Sequence, residues 1–287
     1  MREYLVADHL CNAFYIPDGQ KVAVKDVCFS IDEGEFAAIV GPSGCGKSTV
    51  LRMLAGLEKP SSGKVMLNGV EVTHPSSSLS MVFQSFALFP WRTVLQNVEY
   101  GLELRKVQRL ERRERAIQLI EDVGLKGYES YYPRDLSGGM KQRVGLARAL
   151  AVDPEVVLLD EPFSAVDEFT AGILRFELHQ IWRKMGTTFV IVTHNLSEAI
   201  ELGDKVIVLS QAPSEVKHVK HIPLKRPRRQ EDEEFVAIHK SLFELLKEEL
   251  NASALRRELA SMDELRRLTD IEQVRQPHTS EIRQLEA

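Results

Sequence analysis

A glycine-rich stretch in the first fifth of the chain has the residue types of a phosphate-binding loop. Residues 41–48 read GPSGCGKS, which fits the pattern G-x-x-x-x-G-K-[ST]. The glycines let successive backbone N–H groups point into one concavity, which suits an anion. The Lys47 ammonium can contact the terminal phosphates, and the Ser48 hydroxyl can ligate Mg²⁺. The sequence therefore predicts a nucleoside triphosphate site with Mg²⁺.

The residues on either side predict the elements that position this loop. The apolar run FAAIV at 36–40 is typical of a buried strand, and a helix is expected from about Ser48. The positive end of that helix dipole faces the expected phosphates. The predicted nucleotide contacts are Gly41, Pro42, Ser43, Gly44, Cys45, Gly46, Lys47, Ser48 and Thr49. We also expect the Cys45 thiol to react with thiol reagents and to be shielded by nucleotide.

Two carboxylates follow another apolar run, VVLL at 156–159. A run of this kind is typical of a strand buried on both faces. Neighbouring side chains at a strand end diverge, so Asp160 could hold Mg²⁺ through its waters while Glu161 accepts a proton from the attacking water. Carboxylates at strand ends are often inert. Here they follow an apolar strand in a chain that also has a phosphate-binding loop (P-loop), which favours a catalytic function.

Two more apolar runs end in polar side chains that could serve the same site. Gln84 ends the short strand predicted at 80–84, and His194 follows the run TFVIVT at 188–193. Gln84 could orient the attacking water and ligate Mg²⁺ through its carbonyl oxygen. His194 could contact the γ-phosphate. The ordinary alternatives are a solvent-facing glutamine and a structural histidine.

A second possible phosphate cradle lies in a region of helical periodicity between about 93 and 150. LSGGMKQ at 136–142 supplies Ser137, Gly138 and Gly139 immediately before a predicted helix. Backbone N–H groups and the helix dipole can contact an anion there. The alternative is an ordinary helix cap by Ser137.

Composition limits the kinds of protein that the chain can be. It has 287 residues and a net charge of −5, which gives no overall electrostatic footprint for nucleic acid. Its apolar runs fall short of the roughly 18 residues of a membrane span, and the N-terminus lacks the features of a secretory signal, so we expect the cytosol. The cysteines, three in number and without metal spacing, predict neither a disulfide nor a zinc site.

Taken together, these motifs resemble the nucleotide-binding subunits of ABC transporters. The resemblance covers about 4–227 and rests on the P-loop, Gln84, LSGGMKQR, VVLLDE, SAVD at 164–167 and His194, in matching order and spacing. It implies an α/β fold with a P-loop NTPase (RecA-like) core, an N-terminal antiparallel β subdomain and an inserted α-helical subdomain at about 90–150. The implied domains are an ABC ATPase domain at 1–227 and a helical extension at 228–287.

The resemblance also implies ATP and Mg²⁺ as cofactors and a second ATPase subunit as partner, either an identical copy or a close paralogue. Each ATP is then held between the P-loop of one subunit and Ser137, Gly138 and Gly139 of the other. Glu161 becomes the general base, and Asp167 part of the contact between subunits. Phe14 becomes the adenine-stacking aromatic residue, with Tyr15 as the alternative.

A narrower resemblance concerns FQSFALFPWRTVLQNV at 83–98, which is similar to importers of nitrate, sulfonates, taurine and bicarbonate. It implies that Phe89, Pro90 and Trp91 contact a membrane permease, although packing inside the helical block is an alternative. It further implies a peripheral position on the cytoplasmic face of the inner membrane and an indirect link to an extracytoplasmic solute-binding protein. No nucleic acid is expected as a partner.

Apolar residues recur at helical spacing in the tail, between Phe235 and Leu250 and again between Leu255 and Leu268. Packing against the domain and a regulatory or dimer contact both explain such stripes. The alternative function for the whole chain is a soluble ABC ATPase acting on ribosomes or DNA. The single compact cassette favours the importer.

Overall fold

An antiparallel sheet forms the N-terminal part of the protein. The computed structural model describes residues 3–16 and 19–249. Within them the sheet comprises β1 (Glu3–Ile16), β2 (Gly19–Asp32), β4 (Ser62–Leu67) and β5 (Val70–Glu71), in the order β2-β1-β4-β5. Asn68 and Gly69 join β4 to β5 with φ values of 49° and 79°. Both residues therefore adopt the left-handed conformation that a two-residue Asn-Gly hairpin requires.

A larger sheet lies at the centre of the fold. Its strands are β3 (Phe36–Val40), β6 (Leu79–Val82), β7 (Val156–Asp160), β8 (Thr188–Thr193), β9 (Lys205–Leu209) and β10 (Val216–His221). The order is β10-β9-β3-β8-β7-β6, and only β10 is antiparallel to its neighbour among these strands. Every residue of β3, β7, β8 and β9 is buried, which explains why these strands are continuous apolar runs.

The two faces of the central sheet contribute to different hydrophobic cores. Phe36, Ala38 and Val40 belong to a core shared with helices, whereas Ala37 and Ile39 belong to a core shared with the antiparallel sheet. Successive side chains of a strand point to opposite faces, so β3 is packed on both sides. The strand that precedes the glycine-rich loop is therefore held rigidly.

Helices cover the central sheet and form the inserted block. They are α1 (Lys47–Leu54), α2 (Val94–Leu104), α3 (Arg109–Asp122), α4 (Gly138–Leu150), α5 (Glu168–Met185), α6 (Leu196–Leu202) and α7 (residues 233–249). The elements α2 to α4 interrupt the strands between β6 and β7. Thr93 begins the block with a capping box, because its hydroxyl accepts from Gln96 N at 3.3 Å and its N–H donates to Gln96 Oε1 at 3.0 Å.

This architecture confirms the predicted fold class, a P-loop NTPase core with an antiparallel β subdomain and a helical insertion. None of the described helices is long and apolar enough to cross a membrane. The first compact unit of the chain continues to Leu246, beyond the boundary that the sequence suggests at 227. It does so because Phe235 and Leu242 of α7 are buried in the helix-side core. The predicted second amphipathic stripe, from Leu255 to Leu268, lies outside the described residues.

Candidate active site

The carboxyl ends of β3, β7 and β8 lie side by side at one edge of the central sheet. Val40 pairs with Thr193, and Asp160 pairs with Val192, so the three strands end at the same level. Parallel strands present their carboxyl ends at one edge, where ligands bind in this class of sheet. The loop after β3 and the polar side chains after β7 and β8 therefore meet there.

The glycine-rich loop between β3 and α1 has the backbone conformation that its composition predicts. Gly44 and Gly46 have φ values of 74° and 105°, which side chains disfavour. A Cβ on Gly41 would lie 2.9 Å from Cys45 Sγ and 3.0 Å from Leu209 O. Gly41 is therefore needed for close packing, whereas Gly44 and Gly46 are needed for the left-handed turn that leads into α1.

The Lys47 side chain lies within the curve of this loop. Its Nζ donates to the carbonyl oxygens of Gly41 and Pro42, both at 2.9 Å, and the residue is only 5% exposed. Two neutral carbonyls fix the position of the ammonium without neutralising its charge. The loop thus places one buried positive charge beside the backbone N–H groups at the start of α1.

The structure argues against the expectation that the Cys45 thiol reacts readily. Its side chain is fully buried in the core on the side of the antiparallel sheet, and burial raises the pKa of the thiol. The thiolate is the reactive form, so a buried thiol with a raised pKa is inert. Cys45 can still contribute its backbone to the loop.

A cleft of about 370 Å³ opens in front of the loop. It is lined by Phe14, Lys21, Ala23, Ser43, Gly44, Gly46, Lys47, Ser48, Thr49, Glu161 and Ala212. Phe14 is 41% exposed, so its ring is available for stacking. Sequence reasoning missed Lys21, Ala23 and Ala212. Lys21 had one usable signal, its place a few residues after Phe14 in the sequence; Ala23 and Ala212 had none.

The Ser48 hydroxyl, which lines the cleft, and a buried carboxylate form a candidate metal site. Ser48 Oγ donates to Asp160 Oδ1 at 2.9 Å, and Asp160 is 4% exposed. Burial raises the pKa of Asp160, and the hydrogen bond from Ser48 only partly opposes this shift. A buried carboxylate supported by one hydroxyl is well matched to a hard divalent cation, since oxygen ligands suit Mg²⁺.

Three polar side chains converge beside this pair. Glu161 Oε2 lies 3.3 Å from His194 Nδ1 and 3.4 Å from Gln84 Nε2. Glu161 has a φ of 44°, an unusual conformation for a residue with a side chain, while its N–H still donates to Val192 O at 2.9 Å. The turn directs the Glu161 carboxylate away from Asp160 and towards the ends of β6 and β8. The structure thus brings together the three residues that the sequence suggests for catalysis.

The second predicted cradle lies apart from the cleft. Ser137 caps α4, because its Oγ accepts from Met140 N at 3.3 Å, so the ordinary capping role is real. Gly138 and Gly139 form the first turn of the helix, packed against the segment at Ala165 to Thr170. Within the described residues, neither Ser137 nor the two glycines line the cleft.

Comparison with known proteins identifies the family. The family model for ABC transporters matches residues 24–164. An uncharacterized ABC transporter ATP-binding protein of Methanocaldococcus jannaschii is 45% identical over 250 residues, which are 87% of this chain and 94% of that protein. The chain belongs to the ATP-binding proteins of ABC transporters. ABC ATP-binding proteins are ATPases, and this one is accordingly an ATPase.

Two relatives of this ABC protein carry more specific names. The aliphatic sulfonates import ATP-binding protein of Bacillus subtilis is 44% identical over 225 residues, 78% of this chain and 87% of that protein. The nitrate import ATP-binding protein NrtC of Synechococcus elongatus is 44% identical over 232 residues, which are 79% of this chain but only 35% of that protein. These similarities confirm the predicted resemblance and give no support to the ribosome or DNA alternative.

A solved structure of a dimeric ATP-binding cassette in a post-hydrolysis state, bound to ADP and Pi, resembles this fold with a TM-score of 0.69. The two chains are 31% identical, and the match covers 77% of this chain and all of the other. That cassette binds the products of ATP hydrolysis, which supports ATP as the nucleotide of this ABC protein.

Proposed function

We propose that this ATPase drives an importer that takes up a small anion, such as nitrate, a sulfonate, taurine or bicarbonate, through a separate permease. The observation that carries the proposal is the convergence of the phosphate loop, the Ser48–Asp160 pair and the Glu161 cluster at one edge of the sheet. Similarity to nitrate and sulfonate import proteins supports the class of solute.

The nucleotide is bound in the cleft with its phosphates on the loop. Backbone N–H groups at the start of α1 and the Lys47 ammonium hold the phosphates. Phe14 stacks on the adenine. Ser48 and Gln84 would hold Mg²⁺, and Asp160 would hold it through water. When bound, the ion neutralises phosphate charge and positions the γ-phosphate.

Glu161 is the proposed general base. Its carboxylate accepts a proton as the oxygen of a water molecule attacks the γ-phosphorus, and the bond to the ADP oxygen breaks. Gln84 orients that water, and His194 contacts the γ-phosphate. His194 and Gln84 already lie within 3.4 Å of Glu161 Oε2, so little movement is needed to assemble this arrangement.

A second subunit completes the site in this proposal. Ser137, Gly138 and Gly139 lie outside the cleft of their own chain, where an anion-binding helix terminus has no nucleotide to contact. When they face the γ-phosphate of an ATP that is bound to a second copy or a close paralogue, the same N–H groups close the site. Asp167, which caps α5 through Thr170 N at 3.0 Å, then lies in the contact between the subunits.

The permease contact is proposed at Phe89, Pro90 and Trp91. Trp91 is 70% exposed and lines an open groove of about 680 Å³ on the helical block. Phe89 is half-buried, and its ring centroid lies 4.6 Å from that of Tyr100 and 5.7 Å from that of Trp91. An exposed tryptophan beside a groove is typical of an interface anchor. Such a contact holds the subunit on the cytoplasmic face of the inner membrane, linked through the permease to a solute-binding protein.

Co-purification from membranes tests this proposal. Tagged wild-type protein is expected to recover an integral membrane protein, and Trp91→Ala to lower that recovery by at least about tenfold, as for a buried interface anchor. Phe243→Ala removes another exposed aromatic side chain, on α7, and is the matched control that keeps recovery. All three proteins should hydrolyse ATP equally in isolation. Recovery of RNA and ribosomal proteins in place of a membrane protein would overturn the importer proposal.

A further inference from the structure

Bulges in the β1–β2 ladder bring Cys28 close to Asp8 and His9, which are adjacent in the sequence. The register shifts between Ala7 and Leu10, and within this bulge His9 adopts a φ of 51°. One ligand atom from each of Asp8, His9 and Cys28 lies within 4.8 Å of the others. Because the three residues come from two strands, no spacing pattern along the chain could have revealed this group.

A carboxylate orients the histidine of this group. His9 Nδ1 lies 2.5 Å from Asp26 Oδ1, and Asp26 sits at a φ of 55° on β2. When Nδ1 keeps its proton for this hydrogen bond, Nε2 retains a free lone pair. A carboxylate that holds one imidazole nitrogen while the other binds a metal is the usual outer-shell arrangement of histidine ligands.

A backbone N–H group also contacts the sulfur of the cysteine. His9 N donates to Cys28 Sγ at 3.1 Å, and Cys28 is an exposed free thiol. Asp8 is held only loosely by Lys64, whose Nζ lies 3.7 Å from Asp8 Oδ2, so its carboxylate is available.

We propose that Asp8, His9 and Cys28 form a binding site for Zn²⁺ with an open fourth position. A set of one nitrogen, one sulfur and one oxygen ligand suits this borderline-soft ion, and three protein ligands leave one place for water. Binding releases the proton of the Cys28 thiol, while His9 binds in its neutral form. The bound ion links β2 to β1, and β1 is the strand that also carries Phe14.

Titration of the full-length, reduced protein with Zn²⁺ and then with Co²⁺ tests the site. We expect one tight equivalent of Zn²⁺, and with Co²⁺ the near-ultraviolet absorption of a thiolate ligand. Cys28→Ser should abolish that absorption, and both Cys28→Ser and His9→Gln should weaken Zn²⁺ binding by at least roughly tenfold. Asp26→Asn should weaken it as well, by roughly tenfold for the loss of an outer-shell partner.

Two variants provide matched controls. Cys11→Ser removes the other thiol near His9; Cys11 Sγ accepts a hydrogen bond from Asp26 N at 3.3 Å. His74→Ala removes a histidine that is hydrogen-bonded to Thr73 and not to a carboxylate. Both should bind Zn²⁺ as the wild type does, and unchanged ATP binding reports that every variant is folded. The proposal would be overturned if Cys28→Ser and His9→Gln bound Zn²⁺ with wild-type affinity, or if the control variants lost as much Zn²⁺ affinity. Binding of several weak equivalents of Zn²⁺ by the wild type would also overturn it.

Discussion

His194 Nδ1 lies 3.3 Å from Glu161 Oε2, across the ends of the neighbouring strands β8 and β7. This relationship depends on the left-handed conformation of Glu161, which directs its carboxylate towards His194, while Asp160 faces Ser48. Two adjacent carboxylates therefore have separate surroundings, one suited to proton transfer and one to a metal ion.

Replacing Glu161 by glutamine should separate binding from hydrolysis. Glu161→Gln cannot accept the proton of the attacking water, so we expect ATP turnover to fall by at least roughly a hundredfold while ATP affinity is kept. Phosphate release and equilibrium binding measure the two effects. Glu155→Gln, at the other end of β7, is the control and should turn over normally. Normal turnover in Glu161→Gln would remove this residue from the catalytic role.

Lys47 is expected to supply a large part of the affinity for nucleotide. Lys47→Ala loses charge-assisted hydrogen bonds to phosphate, which should weaken ATP binding by roughly tenfold to a hundredfold or more. Lys21→Ala removes an exposed lysine from the same cleft and should weaken binding less than about fivefold. Calorimetric titration compares the two. Equal effects would mean that overall positive charge, and not the loop geometry, holds the nucleotide.

Asp160→Asn should have opposite effects on stability and activity. Burial raises the pKa of Asp160, so the folded state binds its proton more tightly than the unfolded state. Ionised Asp160 therefore lowers the free energy of unfolding at neutral pH. This cost shrinks as the pH falls through the raised pKa of Asp160, and it is gone below about 4, the ordinary pKa of aspartate. We expect Asp160→Asn to raise the Tm of the nucleotide-free protein at neutral pH, with the gain shrinking on acidification.

The same variant should lower Mg²⁺-dependent turnover by at least roughly a hundredfold, because the ion loses the charged carboxylate that holds it through water. Asp153→Asn changes an exposed aspartate just before β7 and serves as the control for both measurements. A lower Tm for Asp160→Asn at neutral pH would contradict the view that its burial is costly.

Substitutions at Ser137 can distinguish capping from phosphate contact. Asp and Asn both cap helices as well as serine does, so Ser137→Asp and Ser137→Asn should keep the Tm of the wild type. The aspartate adds a negative charge at the proposed γ-phosphate contact, and we expect it to lower turnover by at least roughly tenfold relative to the asparagine. If the two variants hydrolyse ATP equally, Ser137 is only a cap.

Phe14 should contribute to binding through its ring. Phe14→Ala is expected to weaken ATP binding by roughly fivefold to a hundredfold, the range for loss of one stacked base, and Phe14→Tyr should keep it. Tyr15→Ala is the comparison that decides between the two aromatic residues. A larger loss in Tyr15→Ala than in Phe14→Ala would assign the stacking role to Tyr15.

The sequence predicts those parts of the site that follow directly from strand ends. Three fully buried strands end at Val40, Asp160 and Thr193. Buried parallel strands can be recognised in a sequence as apolar runs. Once these strands are placed in one sheet, the loop residues, Glu161 and His194 must meet. The Asn68–Gly69 corner is predictable for a similar reason, since local backbone preference alone determines it.

Features that depend on contacts between distant segments were not predictable. Lys21 and Ala212 reach the cleft because β2 and the loop after β9 pack beside the phosphate loop, where Lys25 N donates to Ser214 O at 2.8 Å. Cys45 is buried although it lies between two glycines of a loop, because its side chain fills the space beside Gly41. No periodicity in the sequence predicts the position of Lys21 and Ala212 in the cleft or the burial of Cys45.

The central claim is that one triphosphate is held by the loop of one subunit and by Ser137 to Gly139 of another. A structure of the Glu161→Gln protein with ATP and Mg²⁺ tests it most directly. We predict two subunits with Lys47 of one and Ser137 of the other both contacting the same γ-phosphate. Nucleotide bound by a single subunit, with Ser137 distant from every γ-phosphate, would contradict the claim.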